Sequence, residues 1–342
     1  MPANPPIVYV PPSASPPAAP PLVYAQPGSY ASTGRDSARV WVGSASSADG
    51  TKLVAVVQQG QIYTSADSGA SWTARDASRY WSCVASSADG TKLVAGVYHP
   101  TNGGNIYTST DSGATWTARS SMLKWAAVAS SADGTKLVGV VNGGQIHTST
   151  DSGVTWTARD SSRNWQAVAS SADGTKLVAA VYFGQIYTST DSGVTWTSRE
   201  SSRGWKAVAI SADGGFYAAS SEYDQIYTSS DRITWTARAD ARNWSPGSLG
   251  MSADGTKLAA VVYSGQIWIS TDSGVTWTAY DSARLWTSMS ASSDGYRLLA
   301  VVNSGLIYII TPASASPAAP GTVFTPPSPG APPAAPPAVF TP

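Results

Sequence analysis

Short apolar segments alternate with turn residues along most of the chain, and each segment is too short for a helix. The segment 176–182 is almost wholly apolar, preceded by an Asp-Gly pair and followed by Phe-Gly. Runs of this length between turn signals are typical of strands buried on both faces. Segments 165–170, 185–189 and 195–199 complete a predicted unit of four strands. No segment has a helical period, so we expect an all-β fold.

This unit repeats. The phrase Ser-x-Asp-Gly recurs seven times, with a tryptophan eight or ten residues before each aspartate. A period of about 40 residues is typical of the four-stranded blades of β-propellers. We therefore predict a seven-bladed propeller of antiparallel blades. The tryptophans are Trp41, Trp81, Trp125, Trp165, Trp205, Trp244 and Trp286, and the aspartates are Asp49, Asp89, Asp133, Asp173, Asp213, Asp254 and Asp294.

The two ends of the repeat region predict how the ring closes. The unit that begins at Trp286 supplies three strands and then stops. The stretch 32–41 aligns with 156–165, which contains a fourth strand. We expect Ser29–Gly34 to complete the last blade, because pairing the two ends removes exposed sheet edges. The predicted propeller spans residues 29–311.

Six turns share the pattern Ser-x-Asp-x-Gly-x-Thr-Trp, with a shortened copy at Asp231 and Ser71 in place of Thr at the first. This pattern resembles the Asp-box, the bacterial neuraminidase repeat. The resemblance implies a propeller and leaves function open, since Asp-boxes occur in sialidases, other glycosidases, sortilin-type receptor domains and photosystem II assembly factors. We expect the aspartates to stabilise turns. They are Asp67, Asp111, Asp151, Asp191, Asp231 and Asp272.

Composition narrows the function classes. The chain has 21 basic and 21 acidic residues, and this balance disfavours nucleic acid or an anionic membrane as partner. One cysteine and two histidines favour neither a disulfide nor a metal site, and no cofactor motif is present. No apolar run is long enough for a membrane span, and the N-terminal residues do not resemble a secretory signal.

The links between blades form the most distinctive repeated surface. We predict one face that carries arginines and tryptophans, opposite the Asp-boxes, and consider two roles for it: a partner-binding surface, or a network of ion pairs and stacking contacts between blades. The first arginine series is Arg35, Arg75, Arg119, Arg159, Arg199 and Arg238, and the second is Arg39, Arg79, Arg163, Arg203, Arg242 and Arg284. The seven repeat tryptophans complete the candidate partner-binding face.

A sialidase-like glycosidase is the enzyme alternative that the resemblance raises. Such enzymes need a Tyr–Glu pair, an acid/base Asp and three arginines that grip a carboxylate. Only Glu200 and Glu222 are available, and Glu200 occupies a position where other units have Asp. Tyr223 neighbours Glu222, but adjacent strand residues point to opposite faces. We therefore predict no catalytic residues.

Proline- and alanine-rich arms flank the repeats, at residues 1–28 and 312–342. We expect extended segments, because this composition cannot form a core. Each arm contains two Val-aromatic cassettes, which we interpret as docking elements for other proteins of a larger assembly. The cassette residues are Val8, Tyr9, Val23, Tyr24, Val323, Phe324, Val339 and Phe340. A non-catalytic scaffold, for example in a virion shell, is the leading hypothesis, and a module that binds carbohydrate or protein is the alternative.

Overall fold

The computed structural model describes residues 29–120 and 122–313, which form strands and turns without any helix. In chain order the strands are β1 (Tyr30–Ser46), β2 (Leu53–Ser65), β3 (Thr73–Ser86), β4 (Leu93–Val97), β5 (Ile106–Ser109), β6 (Thr117–Ala118), β7 (Trp125–Ser130), β8 (Leu137–Ser149), β9 (Thr157–Ser170), β10 (Leu177–Gly184), β11 (Ile186–Ser189), β12 (Thr197–Ser198), β13 (Arg203–Ile210), β14 (Tyr217–Asp224), β15 (Ile226–Ser229), β16 (Thr236–Ala237), β17 (Arg242–Met251), β18 (Leu258–Ser270), β19 (Thr278–Ala291) and β20 (Leu298–Pro312).

One repeat unit shows how the strands pair. The end of β9 pairs with β10, β10 pairs with β11, and β11 pairs with β12, all antiparallel. Successive residues of β10 point to opposite faces of this small sheet, and both faces are covered. Val178 packs in one core cluster with Trp205, and Ala179 packs in the next with Trp165. The apolar run in the sequence therefore marks a strand that is buried on both sides.

Long strands connect consecutive units. The start of β9 pairs with the end of β8 at Thr157–Thr148, as the fourth strand of one unit. After a register shift the same strand pairs with β10, as the first strand of the next unit. The hydrophobic clusters also join consecutive units, because each cluster contains residues of two neighbouring repeats.

The chain closes on itself through its first and last strands. Residues Tyr30 to Arg35 of β1 pair with Pro312 to Ile307 of β20, before β1 continues at Trp41 as a partner of β2. This is the pairing that the repeat alignment predicts for Ser29–Gly34. A core cluster containing Trp41, Val301 and Ile307 fills the junction. We call this junction the seam.

Backbone hydrogen bonds connect the Ser-x-Asp-Gly turns into a ring. The residue between Ser and Asp donates its amide proton to the carbonyl of the equivalent residue in the next turn, at 2.7 or 2.8 Å. The last of these bonds returns from Ser293 to Ala48, so the series is closed. The donors are Ala48, Ala88, Ala132, Ala172, Ala212, Ala253 and Ser293.

The first strands of the units line a central cavity of about 250 Å³. Small side chains such as Ser44, Ala127 and Ala207 face it. Cys83 also borders it but is buried, and burial raises the pKa of its thiol to about 11. The thiolate that nucleophilic chemistry needs is therefore strongly disfavoured at neutral pH.

Candidate functional site

The Asp-boxes form turns in which one carboxylate accepts hydrogen bonds from residues before and after it. In the box at Asp151, the Ser149 hydroxyl donates to the carboxylate at 2.8 Å. The amide and the hydroxyl of Thr155 donate to it at 2.9 and 2.6 Å. Ser152 and Gly153 turn the chain with left-handed φ values of 58° and 84°. The carboxylate oxygens are thus occupied by their own turn, which is the geometry of a structural motif.

The tryptophan that ends each box depends on the glycine before it. Trp156 donates its indole N–H to the Gly153 carbonyl at 3.0 Å. The box at Asp231 is shorter and lacks that glycine, and Arg232 turns the chain with a φ of 69°. The buried indole N–H of Trp235 consequently has no hydrogen-bond partner among the described residues.

The same hydrogen bonds lower the pKa of these carboxyl groups. The Thr155 hydroxyl is the main cause that lowers the pKa of Asp151 to about 2, and the Ser71 hydroxyl does the same for Asp67. In the Ser-x-Asp-Gly turns, the Ser47 hydroxyl is the main cause that lowers the pKa of Asp49 to about 2. These acids therefore stay ionised far below neutral pH and do not serve as proton donors there.

The second arginine series lies at the other end of the strands, which we call the arginine end. The arginine end comprises the links between units and the turn between the second and third strands of each unit. Arg163 lies 3.4 Å from the carboxylate of Asp160, and its guanidinium lies 4.6 Å from the ring centre of Tyr187. Four further members pair with the acid three residues earlier: Arg39, Arg79, Arg203 and Arg284. The ring of arginines is thus a network of ion pairs and stacking contacts.

The repeat tryptophans do not share this surface, so that part of the predicted partner-binding face is wrong. Each is at most 1% exposed, because its ring fills the space between two units. Trp165, for example, packs against Val138 and Val140 of the unit before it. The buried residues are Trp41, Trp81, Trp125, Trp165, Trp205, Trp244 and Trp286.

The first arginine series also lies elsewhere than predicted. Arg75 donates from Nε to the Thr64 hydroxyl at 3.0 Å. It lines a pocket with Lys52 and Asp67, and this pocket opens beside the Asp-boxes. The same Arg–Thr bond forms at 2.9–3.1 Å from Arg119, Arg159, Arg199 and Arg238. The arginine end therefore carries one arginine rather than two in six of the links, and the link 119–125 has none there.

One place at the arginine end departs from the repeat pattern. Glu222 accepts a hydrogen bond from the Tyr182 hydroxyl at 2.7 Å and pairs with Lys206 at 3.1 Å. Lys206 also lies 4.3 Å from the ring centre of Tyr182. Beside them, Arg203 pairs with Asp224 at 3.1 Å. Sequence reasoning singled out Glu222 but missed its partners, because Tyr182 comes from the preceding unit.

Two exposed aromatic rings flank this cluster. Phe183 and Tyr223 occupy the same turn position in neighbouring units and are 72% and 73% exposed. Their φ values of 53° and 54° are left-handed, a region that costs a bulky residue on the order of 1 kcal/mol. Other units place Gln59, Ser264 and Ser304 at this position. An exposed aromatic residue at a strained position indicates a role outside the fold. We call Phe183 and Tyr223 the aromatic pair.

The hydrogen bond between Tyr182 and Glu222 supplies one part of a sialidase-type site. However, this bond raises the pKa of the Tyr182 phenol, and so disfavours the phenolate. Lys206 compensates the charge of Glu222, and Arg203 is already paired with Asp224 and Glu200. The local charges therefore stabilise this cluster internally rather than prepare it to grip a substrate carboxylate.

Three further predictions concern metal binding, membrane insertion and the docking residues of the arms. Residues 29–120 and 122–313 hold no group of three His, Cys, Asp or Glu side chains arranged for a metal ion. The same part of the chain contains no helix with the length and apolarity of a membrane span. The predicted docking residues of the arms lie outside the described residues: Val8, Tyr9, Val23, Tyr24, Val323, Phe324, Val339 and Phe340.

Sequence comparisons give no relative: no protein-family model and no curated protein matches the chain. Solved structures do match. YCF48 bound to a D1 peptide has a TM-score of 0.64 at 13% identity, covering 84% of this chain and 97% of that one. YCF48 from Cyanidioschyzon merolae has a TM-score of 0.63 at 15% identity, covering 84% and 100%.

A third match is the GH74 enzyme of Niastella koreensis, with a TM-score of 0.62 at 18% identity. It covers 82% of this chain but only 44% of the enzyme. Identities this low show the fold alone, and a fold of this kind hosts both binding proteins and enzymes. The chain is therefore an all-β protein with the architecture of a β-propeller.

Proposed function

We propose that the chain is a non-catalytic, seven-bladed Asp-box propeller that serves as a protein-binding scaffold within a larger assembly. The blade count is supported by the closed series of amide hydrogen bonds, which takes one donor from each Ser-x-Asp-Gly turn. The buried repeat tryptophans support the same count, with one at each junction between units. Assignment to the Asp-box family rests on the box geometry, which recurs at Asp67, Asp111, Asp151, Asp191 and Asp272.

The aromatic pair carries the proposal that this scaffold binds a protein. Large aromatic side chains dominate the energetics of protein interfaces, and both residues are more than two thirds exposed. The ring centre of Phe183 lies 4.2 Å from that of Tyr182, whose hydroxyl donates to Glu222, and Tyr223 follows Glu222 in the chain, so polar groups are close to both residues. A peptide complex is also known for a propeller of this architecture, YCF48 bound to a D1 peptide.

The arms extend this proposal to an assembly. The repeated Val-aromatic cassettes would add strands to a neighbour or fill its grooves, and several tethered cassettes would add avidity. A virion shell is the specific setting we propose, supported by the neutral charge balance and by the repetition of the cassettes.

The test uses the full chain in its native host and measures how much of it cosediments with the assembly. We expect the double variant Phe183→Ser, Tyr223→Ser to lose about tenfold or more of its incorporation, since hot-spot residues contribute at least 2 kcal/mol each. Gln59→Ser is the matched control, because Gln59 occupies the same turn position without an aromatic ring.

Chains that lack residues 1–28 or 314–342 test the arms separately. Reduced incorporation with an unchanged melting temperature would support docking through the arms. Normal incorporation of the aromatic double variant would overturn the proposed binding face, whatever the arm deletions do.

Carbohydrate binding is the second candidate, and the same aromatic pair favours it. Aromatic faces stack on sugar rings, and Glu222 with Lys206 offers hydrogen-bonding groups beside them. A glycan array with the unmodified chain separates the two functions: a saturable glycan signal that Phe183→Ser removes would favour the carbohydrate module.

A further inference from the structure

Pockets recur between consecutive units beside the Asp-boxes. The pocket between the first two units is lined by Arg75, Thr64, Lys52 and two Asp-box carboxylates, Asp67 and Asp111. Its arginine has an acceptor in Thr64, its lysine donates to Ser112 at 3.2 Å, and two acids line the same pocket. This pocket is the reference for the equivalent position at the seam.

The seam pocket lies at the equivalent position but is lined by different side chains. It has a volume of about 290 Å³ and contains Arg35 and Arg297 where the reference pocket has Arg75 and Lys52. Strand pairing places Ile309 opposite Thr33, as Thr64 lies opposite Thr73. No carboxylate lines the seam pocket. The last unit continues as β20 instead of forming an Asp-box, so it lacks the equivalent of Asp67 in the reference pocket.

Arg35 is left without a partner by this exchange. Its Nε atom is buried and has no hydrogen-bond acceptor, and Arg35 makes no ion pair within residues 29–120 and 122–313. The other five arginines of its series each donate from Nε to a threonine. Ile309 cannot accept such a bond. A buried donor without an acceptor is costly unless a water or an ion satisfies it.

Arg297 adds a second guanidinium to the same pocket. One of its terminal nitrogens donates to the Ser68 hydroxyl at 3.0 Å, which leaves further N–H donors available. Asp67, the residue before Ser68, is held by Ser65 and Ser71 in its own box. The remaining lining combines hydroxyls with apolar side chains: Thr33, Ser46, Thr311, Leu53, Leu298, Leu299 and Ile309.

We propose that the seam pocket binds an oxyanion carried on a small apolar group. Two guanidiniums match the charge and the planar geometry of a carboxylate, phosphate or sulfate. Leu53, Leu298 and Ile309 provide the apolar wall for the rest of the ligand. This site lies on the side opposite the aromatic pair and is independent of the function proposed above.

The experiment titrates the full chain with N-acetyl-leucine, inorganic phosphate and inorganic sulfate, and follows the Arg Nε–H signals by NMR. N-acetyl-leucinamide is the uncharged control probe. We expect saturable binding that shifts the Arg35 Nε–H signal, with N-acetyl-leucine tighter than the inorganic anions because the apolar wall contacts its side chain.

Variants locate the site. Arg35→Gln and Arg297→Gln should each weaken binding about tenfold, the effect of losing a charge-assisted hydrogen bond. Arg75→Gln is the matched control in the reference pocket and should leave binding unchanged. Ile309→Thr supplies the acceptor found in five other units, so it should also weaken binding while leaving both arginines in place.

Two results would overturn the proposal. One is the absence of saturable binding of every anion with the folded, unmodified chain. The other is equal weakening by Arg35→Gln and Arg75→Gln, which would indicate general attraction to positive charge. If Arg35→Gln fails to fold, Ile309→Thr decides, and unchanged affinity in that variant would contradict the site.

Discussion

The two ends of the strands stabilise their charged side chains in different ways. At the Asp-box end, each carboxylate accepts hydrogen bonds from its own turn, as Asp151 does from Ser149 and Thr155. At the arginine end, charges pair between partly exposed side chains, as Arg163 does with Asp160. The first arrangement depends on local geometry and the second on Coulomb attraction. The difference teaches that the turns at the Asp-box end satisfy their own carboxylates, whereas the charges at the arginine end depend on partner side chains of opposite charge.

Acid has the largest expected effect, because it acts on every Asp turn at once. The pKa of Asp67, Asp111 and Asp151 is about 2 in the folded chain, below the ordinary aspartate value of about 3.9. Their stabilising contribution is therefore complete above about pH 4 and is lost as the pH falls toward about 2. Melting temperatures measured from pH 7 to pH 2 should fall below about pH 4.

High salt should change the melting temperature much less than acid does. At neutral pH, 1 M NaCl screens the ion pairs of the arginine end but leaves the hydrogen bonds of the boxes intact. We expect only a small shift of the melting temperature. A large loss in salt, with no loss in acid, would reverse the comparison.

Trp165→Ala tests how much the buried core between units contributes to the stability of the fold. The fully buried indole fills a junction between units, so we expect a loss of about 3–5 kcal/mol in the free energy of unfolding. Urea denaturation measures it. A loss below about 1 kcal/mol would show that the ring is not part of the core.

Two glycine substitutions compare the ends directly. Gly193 lies in an Asp-box with a φ of 82°, and an added Cβ would lie 2.7 Å from a Thr148 carbon. Gly143 lies at the arginine end with a φ of 69° and open space around it. We expect Gly193→Ala to cost about 2 kcal/mol and Gly143→Ala about 1 kcal/mol, because only the first adds a clash to the backbone strain. Equal losses in urea denaturation would contradict the tighter packing of the boxes.

Arg163→Ala should cost less than about 1 kcal/mol. The side chain is 31% exposed, and ion pairs and cation–π contacts that water reaches are weak. The loss should shrink in 1 M NaCl. A loss that is independent of salt would assign the effect to packing on Tyr187 instead of charge.

Phe183→Gly has the smallest expected effect and the opposite sign. Glycine adopts the left-handed turn without strain, so we expect a gain of about 0.5 kcal/mol, after allowance for the entropy that glycine adds to the unfolded chain. Tyr223→Gly should behave alike, and Gln59→Gly is the control without an aromatic ring. A clear loss of stability would mean that the ring of Phe183 supports the fold.

Much of the architecture could be predicted from the sequence because it is local or repeated. The apolar run 177–181 marks a two-sided strand, and the alignment of 32–41 with 156–165 predicts the pairing of Tyr30 with Pro312. The Asp-box turns follow from their residue types, since Asp, Ser and Gly each have a defined role there.

Contacts between units could not be predicted in the same way. The burial of Trp165 depends on Val138 and Val140 of the preceding unit. The bond between Tyr182 and Glu222 likewise joins side chains 40 positions apart. The partnerless state of Arg35 depends on strand register, which places Ile309 where five other units have the threonine that accepts from the arginine.

The pairing of Tyr30 with Pro312 has a consequence for the two segments that flank the repeats. Ala313 donates its amide proton to the Ser29 carbonyl at 3.0 Å, so the polypeptide enters and leaves the folded region at neighbouring points. Residues 1–28 and 314–342 are therefore joined to the folded region at adjacent points. Two binding segments that are joined at adjacent points raise each other's effective concentration once either of them is bound to a shared partner.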